Sequence, residues 1–242
     1  MSRRFAQGVN VPLAIPRIFV ADDLTAGASI AGSKAHAHYL ANVLRRAVGD
    51  RLHLFNGRHG ELAARIATLH RGHVEFAIET QLRPQASEPD IWLVFAPLKR
   101  DQTDLLVQKA TELGAAALHP VLTERTNTAR LNLDRLQAIA VEAAEQSERL
   151  TVPTLHPPRP LRDLLADWSP DRILAAALER TEGPPPVAQG ALLIGPEGGF
   201  SPQELDVLRA APFIQPVSLG PRILRAETAA IAGLAMLMAR HW

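Results

Sequence analysis

The chain divides by the texture of its hydrophobic positions. Between residues 15 and 82 the apolar residues come in short, often alternating runs: "RIFV" (17–20), "DRLHLFNG" (50–57), "GELAARIATL" (60–69) and "HVEFAIETQL" (73–82). Period-two alternation marks strands with one buried face. Gly-Asp, Asn-Gly and His-Gly pairs separate the runs, as turns require. One stretch departs from the pattern. "SKAHAHYLANVLRRAVG" (33–49) carries Leu40, Val43, Leu44 and Val48 at helical spacing, with Gly49 as a stop, and predicts a single helix. The sum is a small β-barrel with one helix over residues 15–82.

"RPQASEPD" (83–90) is polar, holds two prolines and reads as a linker. Beyond it the texture changes. "IWLVFAPL" and "ALLIG" are continuous apolar runs, the mark of strands buried on both faces. "AALHPVL", "VPTL", "RILAAAL" and "IQPVSLG" read as further strands. They alternate with the helical segments "RDQTDLLVQKATELG", "NLDRLQAIAVEAAEQSERL", "PLRDLLADW", "SPQELDVLRAA" and "ETAAIAGLAMLMARHW". Such alternation over residues 91–242 predicts a parallel α/β sheet covered on both faces.

Composition narrows the chemistry. Hydrophobic residues make up 47% of 242, enough for a real core, yet no apolar run approaches the roughly 20 residues that span a bilayer. The start has two arginines but no apolar stretch of signal-peptide length, and residues 1–14 read as an extension. There is no cysteine, which excludes disulfides, zinc ribbons and thiol catalysis and makes a cytoplasmic enzyme the default. Residues 1–82 hold ten Lys/Arg against six Asp/Glu, whereas residues 83–242 hold sixteen against nineteen. A basic unit before a slightly acidic one fits a nucleic-acid contact in the first, although an excess this small is also ordinary scatter. The histidines are dispersed; His36 and His38 point to different helix faces, and no metal site is expected.

Two segments near the end share one plan. "LLIGPEGGFSPQEL" (192–205) and "VSLGPRILRAETAAI" (217–231) each run from a buried strand through Gly-Pro and an irregular loop into a helix. Their strands are expected at the same edge of the sheet, with the loops at the carboxyl ends, where α/β sheets bind ligands. Ser201, Pro202 and Glu204 are explained structurally, as a capping box with proline at the first helical position. Gly195, Gly198 and Gly199 are not explained that way. A P-loop needs Gly-Lys-Ser/Thr, which is absent; the dinucleotide fingerprint has another spacing; and residues 192–205 carry no cation. A polyphosphate ligand is therefore not expected.

Several ordered motifs carry a family resemblance: "IPRIFV" (15–20), "HYLANVLRRAVGDRLHLFNG" (38–57), "QKATELGAAALHPVLTERT" (108–126), "EAAEQSERLTVP" (142–153), "LIGPEGGFSPQEL" (193–205) and "LGPRILRAETAA" (219–230). The chain resembles the RsmE family, bacterial 16S rRNA uridine-N3 methyltransferases of the SPOUT superfamily. The resemblance implies a PUA-like RNA-binding barrel followed by a SPOUT α/β domain with a C-terminal trefoil knot. It also implies S-adenosylmethionine as cofactor, 16S rRNA in the small ribosomal subunit as substrate, a homodimer, and no metal. The cofactor has no phosphate, which agrees with the missing lysine. By resemblance the pocket takes in Leu193, Ile194, Gly195, Pro196 and Gly199 from the first loop, and Ser218, Leu219, Gly220, Ile223 and Leu224 from the second.

The implied reaction is in-line methyl transfer to N3 of a uracil. N3 is a poor nucleophile until it loses its proton, so a cation near O2 or O4 and a base are required. Arg225 is the candidate for the electrostatic role. Glu197 and Glu227 are the nearest carboxylates; the start of a helix explains Glu227 by itself, and Glu197 is preferred. Arg17, Arg45 and Arg46 in the first unit, and Lys99, Arg100, Arg125, Gln146, Arg149 and Arg222 in the second, are candidate RNA contacts. Glu145 and Arg149 are four apart and also read as an ion pair on a solvated helix face. Ala226 stands where the family usually has Thr. Two other readings are a SPOUT ribose 2′-O-methyltransferase, which would lack the N-terminal unit, and a non-catalytic RNA-binding assembly factor.

Overall fold

The computed structural model describes residues 15–127, 130–178, 183–186 and 190–241, and turns the two hydrophobic textures into two units, with the chain dividing between Pro84 and Gln85. The expected N-terminal extension, residues 1–14, lies outside the described residues. The first unit holds β1 (Arg17–Phe19), β2 (Ser29–Gly32), α1 (Lys34–His38), β3 (Arg51–Phe55), β4 (Glu61–His70) and β5 (His73–Arg83). Its sheet runs β1-β3-β4-β5-β2, antiparallel except for β1 beside β3. The alternating residues meet as predicted: Ile18, Leu52, Leu54, Ile66, Val74 and Phe76 form one core with Leu40.

Two local features differ from the sequence expectation. β2, "SIAG", lacks an apolar alternation to announce it; it pairs closely with β5, and a Cβ on Gly32 would stand 2.5 Å from Val74 Cγ1. The helix expected over 33–49 is cut short. α1 passes into a π turn, Tyr39–Val43, and the chain then turns through a left-handed Arg45 (φ 52°). The widened turn takes later residues out of phase with the core. Leu40 is fully buried, whereas Val43 and Val48 are both 59% exposed.

In the second unit the strands are β6 (Trp92–Phe95), β7 (Ala117–Leu122), β8 (Thr154–Leu155), β9 (Arg159–Pro160), β10 (Leu174–Ala177), β11 (Ala191–Ile194) and β12 (Ile214–Val217). The helices are α2 (Arg100–Glu112), α3 (Leu133–Gln146), α4 (Leu161–Ala166), α5 (Pro202–Ala210) and α6 (Ala226–Met238). The sheet is parallel throughout, in the order β12-β10-β11-β6-β7-β8, with β9 also on β7. Its continuous apolar runs serve two cores. Leu93, Phe95, Leu192 and Ile194 pack with residues of α2, α3 and α6. Val94 and Leu193 pack on the other face with residues of α4 and α5. β10 lies between β11 and β12, so the two loop-bearing strands are not neighbours, and only β12 is at the edge.

The stretch read as a linker is anchored over its second half. Glu88 is paired with Arg149, and Asp90 accepts hydrogen bonds from Arg172 and from Trp92 Nε1. The Pro-rich segment after β10 touches the end of β12, where Ser218 N donates to Pro184 O at 3.0 Å. Residues 179–182 and 187–189 of that segment, and with them the threading of the expected knot, lie outside the described residues.

Candidate cofactor and RNA site

The first glycine loop is held from three sides. Ser201 Oγ accepts from Glu204 N at 3.2 Å, and the Glu204 carboxylate accepts from Ser201 N at 2.9 Å, closing the predicted capping box. The same carboxylate accepts from Glu124 N at 2.9 Å, tying in the loop after β7. Arg125 Nη1 donates to Gly198 O at 2.8 Å. Within the loop, Gly199 N donates to Pro196 O at 2.9 Å, and Gly199 sits at φ 68°, a conformation that favours glycine. Gly195 is required for a different reason. A Cβ there would stand 2.9 Å from Phe200 Cε2, and Phe200 is buried in the core under α5.

The second loop leaves β12 through Ser218, whose Oγ accepts from Gly220 N at 3.3 Å, and turns at Gly220 (φ 113°). Arg225 is the N-cap residue of α6 and makes no side-chain cap bond. Between these loops the end of β10 contributes Ala177 and Leu178. The three carboxyl ends enclose a cleft of about 830 Å³, within the range of small-molecule sites.

Of the residues assigned to the cofactor, Ile194, Gly195, Pro196, Gly199, Ser218, Leu219, Gly220, Ile223 and Leu224 line this cleft. Leu193 does not. It is fully buried in the opposite core, because period-two alternation in β11 sends it away from Ile194. Arg225, Glu197 and Glu227 line the cleft, as do Lys99, Arg125 and Arg222. Arg100 and Gln146 are exposed but do not line it.

Two candidate RNA contacts are internal. Arg149 follows Glu148 (φ 60°), which turns the chain inward after α3. Its guanidinium donates to Thr111 O at 2.7 Å and Ala115 O at 3.0 Å, besides pairing with Glu88, and the residue is buried. Arg17 is paired with Glu61, and its guanidinium lies 4.4 Å from the Phe55 ring centroid. Burial alone would raise the Glu61 carboxyl, but Arg17 and Arg83 hold it below the ordinary carboxylate value. Both arginines are structural. Arg45 remains exposed and Arg46 is half-buried, both in the first unit.

Gln102, Phe200, Leu205 and Arg209 also line the cleft, beyond the residues that the sequence motifs indicate. Leu205 and Arg209 are four apart on α5, so they share a face. Because α5 springs directly from the first loop, that spacing is the signal that would have found them. The cleft thus holds five cations, Lys99, Arg125, Arg209, Arg222 and Arg225, against two carboxylates, Glu197 and Glu227. Among the described residues no carboxylate is paired with any of the five, and no group of His, Asp or Glu could hold a metal ion.

The chain thus joins a small mostly antiparallel sheet to a parallel α/β sheet with a glycine-walled, cation-rimmed cleft at its carboxyl ends, and similarity to known proteins gives its class as an RNA methyltransferase. Residues 85–238 match the family described as RNA methyltransferase domain, and residues 34–79 the one described as RNA methyltransferase PUA domain. The chain is 33% identical over 229 residues to ribosomal RNA small subunit methyltransferase E of Rickettsia conorii, covering 91% of this chain and 94% of that protein. It is 34% identical to the protein of the same name from Synechocystis, covering 92% and 77%. The crystal structure of ribosomal RNA small subunit methyltransferase E from Neisseria gonorrhoeae bound to S-adenosyl methionine is similar, with TM-score 0.84 and 31% identity over 95% of this chain and 98% of that one. The chain belongs to the ribosomal RNA small subunit methyltransferase E family.

Proposed function

We propose that this chain methylates N3 of a specific uridine in 16S rRNA of the small ribosomal subunit, using S-adenosylmethionine, in the cytoplasm and as a homodimer. The observation that carries this reading is the cleft itself. It is walled by two glycine loops that themselves carry no lysine, and Arg225 lines it with no carboxylate partner among the described residues. In this reading residues 15–82 form the PUA-like RNA-binding barrel, 83–90 join it to the catalytic domain, and 91–242 form that domain.

The cleft fits a nucleoside cofactor without phosphates. Ile194, Leu178, Leu219 and Leu224 offer apolar surface, and Gly195, Gly199 and Gly220 leave the main chain open to close approach. When bound, the cofactor supplies an electrophilic methyl group. The protein must supply the rest. The target uracil has to leave its stack to reach the cleft. Arg225 offers its cation to the negative charge that develops on the pyrimidine oxygens as N3 loses its proton. Glu197, exposed on the first loop, is the assigned proton acceptor. Glu227 lies in the first turn of α6, where the positive helix end favours a carboxylate for structural reasons. Lys99, Arg125 and Arg222 approach the flanking phosphates, and Arg45 and Arg46 are the RNA contacts of the first unit. α6 supports the homodimer. Apolar nearly all round, it leaves Ile231, Ala232, Ala235 and Met236 only half-covered, and such a helix calls for a partner surface.

The test is incubation with labelled cofactor and small subunits from a strain lacking the enzyme, followed by digestion to nucleosides. Label is expected in 3-methyluridine. Arg225→Ala is expected to lower kcat by about 100- to 1000-fold with cofactor binding retained. Label in a 2′-O-methylated nucleoside, or no label with cofactor bound, would overturn the assignment of uridine N3.

A further inference from the structure

We infer that the cleft's surplus positive charge couples its two substrates, so that RNA loading tightens S-adenosylmethionine binding and the RNA-free protein favours the demethylated cofactor product over the cofactor. The inference rests on the methyltransferase reading above. Lys99, Arg125, Arg209, Arg222 and Arg225 face the cleft from four different elements, and only Glu197 and Glu227 oppose them. Lys99 and Arg225 are also the N-cap residues of α2 and α6, so the positive ends of two long helices add to the field.

This sign is wrong for the cofactor alone. S-adenosylmethionine carries a sulfonium, an ammonium and one carboxylate, a net charge of +1. S-adenosylhomocysteine has lost the methyl and the sulfonium charge and is net neutral. The same protein groups meet both, so the difference between them isolates the charge. A polyanion reverses the field. RNA phosphates settling on Lys99, Arg209 and Arg222 neutralise the rim, and the sulfonium then meets a balanced cleft. Arg209 is the informative member. It is exposed in the last turn of α5, makes no ion pair among the described residues, and lines the cleft beside Leu205. Three net charges acting across a mostly aqueous cleft amount to a severalfold effect on binding.

The experiment is calorimetric titration of the full chain with S-adenosylmethionine and, separately, S-adenosylhomocysteine. Salt is raised from about 0.01 M to about 1 M, over which the screening length falls from about 30 Å to about 3 Å. The affinity ratio of cofactor to product is expected to rise about fivefold. A single-stranded oligoadenylate at low salt should raise it similarly. Arg209→Gln takes one of the three net charges away and should lower the salt dependence of the ratio by about a third, with retained product binding showing that the variant is folded. A ratio indifferent to salt and to oligoadenylate overturns the inference while leaving the methyltransferase reading standing. Failure of both ligands to bind at any salt overturns that reading and the inference with it.

Discussion

Gly195→Ala isolates one contact between the glycine loop and the core beneath it. Gly195 has no left-handed backbone, so alanine meets no conformational penalty there and would ordinarily stabilise by about 0.4–1 kcal/mol through the unfolded chain. The structure predicts the opposite sign. The added Cβ would lie 2.9 and 3.0 Å from Cε2 and Cζ of Phe200, a ring only 7% exposed and packed with Leu193 and Leu208. At that distance the ring or the loop must shift, and overpacking of this kind costs about 1–3 kcal/mol. For a unit of this size that lowers Tm by roughly 2–10 °C. Trp92 and Trp168 lie in the second unit and residues 1–84 contain no tryptophan, so intrinsic fluorescence reports unfolding of the second unit. Cofactor binding should weaken in the same variant, because the strained loop forms the cleft wall. Phe200→Leu shortens the offending side chain, so Gly195→Ala should cost at least 1 kcal/mol less in that background. Equal costs in the two backgrounds would refute the clash as the reason for the glycine.

Two further outcomes follow from groups outside the cleft. Arg149→Ala leaves the Thr111 and Ala115 carbonyls and Glu88 without their donor, and is expected to destabilise by about 3 kcal/mol in denaturant titration; an RNA contact would instead show as weaker RNA binding at unchanged stability. His119 is lowered to about 4 by burial and by the neighbouring His156, Arg172 and Arg159, and its ring stacks on His156 at 4.0 Å. The native state therefore holds it neutral while the unfolded state protonates near 6.5, so its contribution is complete above about pH 6.5 and is lost as pH falls towards 4. The loss is up to about 3 kcal/mol, and His119→Phe should flatten stability measured across that window.

Local chemistry was legible and partnership was not. The Ser201–Glu204 capping box depends on residues within a few positions of one another, and it stands in the structure as the sequence implies. That Glu204 also accepts from Glu124 N could not be seen, because the two are 80 residues apart. The burial of Arg17 and Arg149 is hidden from the sequence for the same reason, and the helical spacing that offers Glu145 to Arg149 does not reveal Glu88. Their carboxylate partners, Glu61 and Glu88, lie 44 and 61 positions away, and side-chain type alone does not say whether a charge faces water or a buried partner. The helix expected through Val48 failed at Arg45, where tertiary packing overrode a helical hydrophobic period.

The sequence by itself determined two units, a half-buried sheet followed by a doubly covered one, because burial on one face or two writes a different period into the chain. It also determined the two glycine loops and the helices they open, since turns and caps are specified by residues in contact along the backbone. Only the tertiary structure decided the strand order. Placing β10 between β11 and β12 brings Leu178 to the cleft, and α5 adds Arg209 from the neighbouring loop. Parallel pairing is a choice among distant segments of nearly identical apolar composition, and no local pattern records which strand lies beside which.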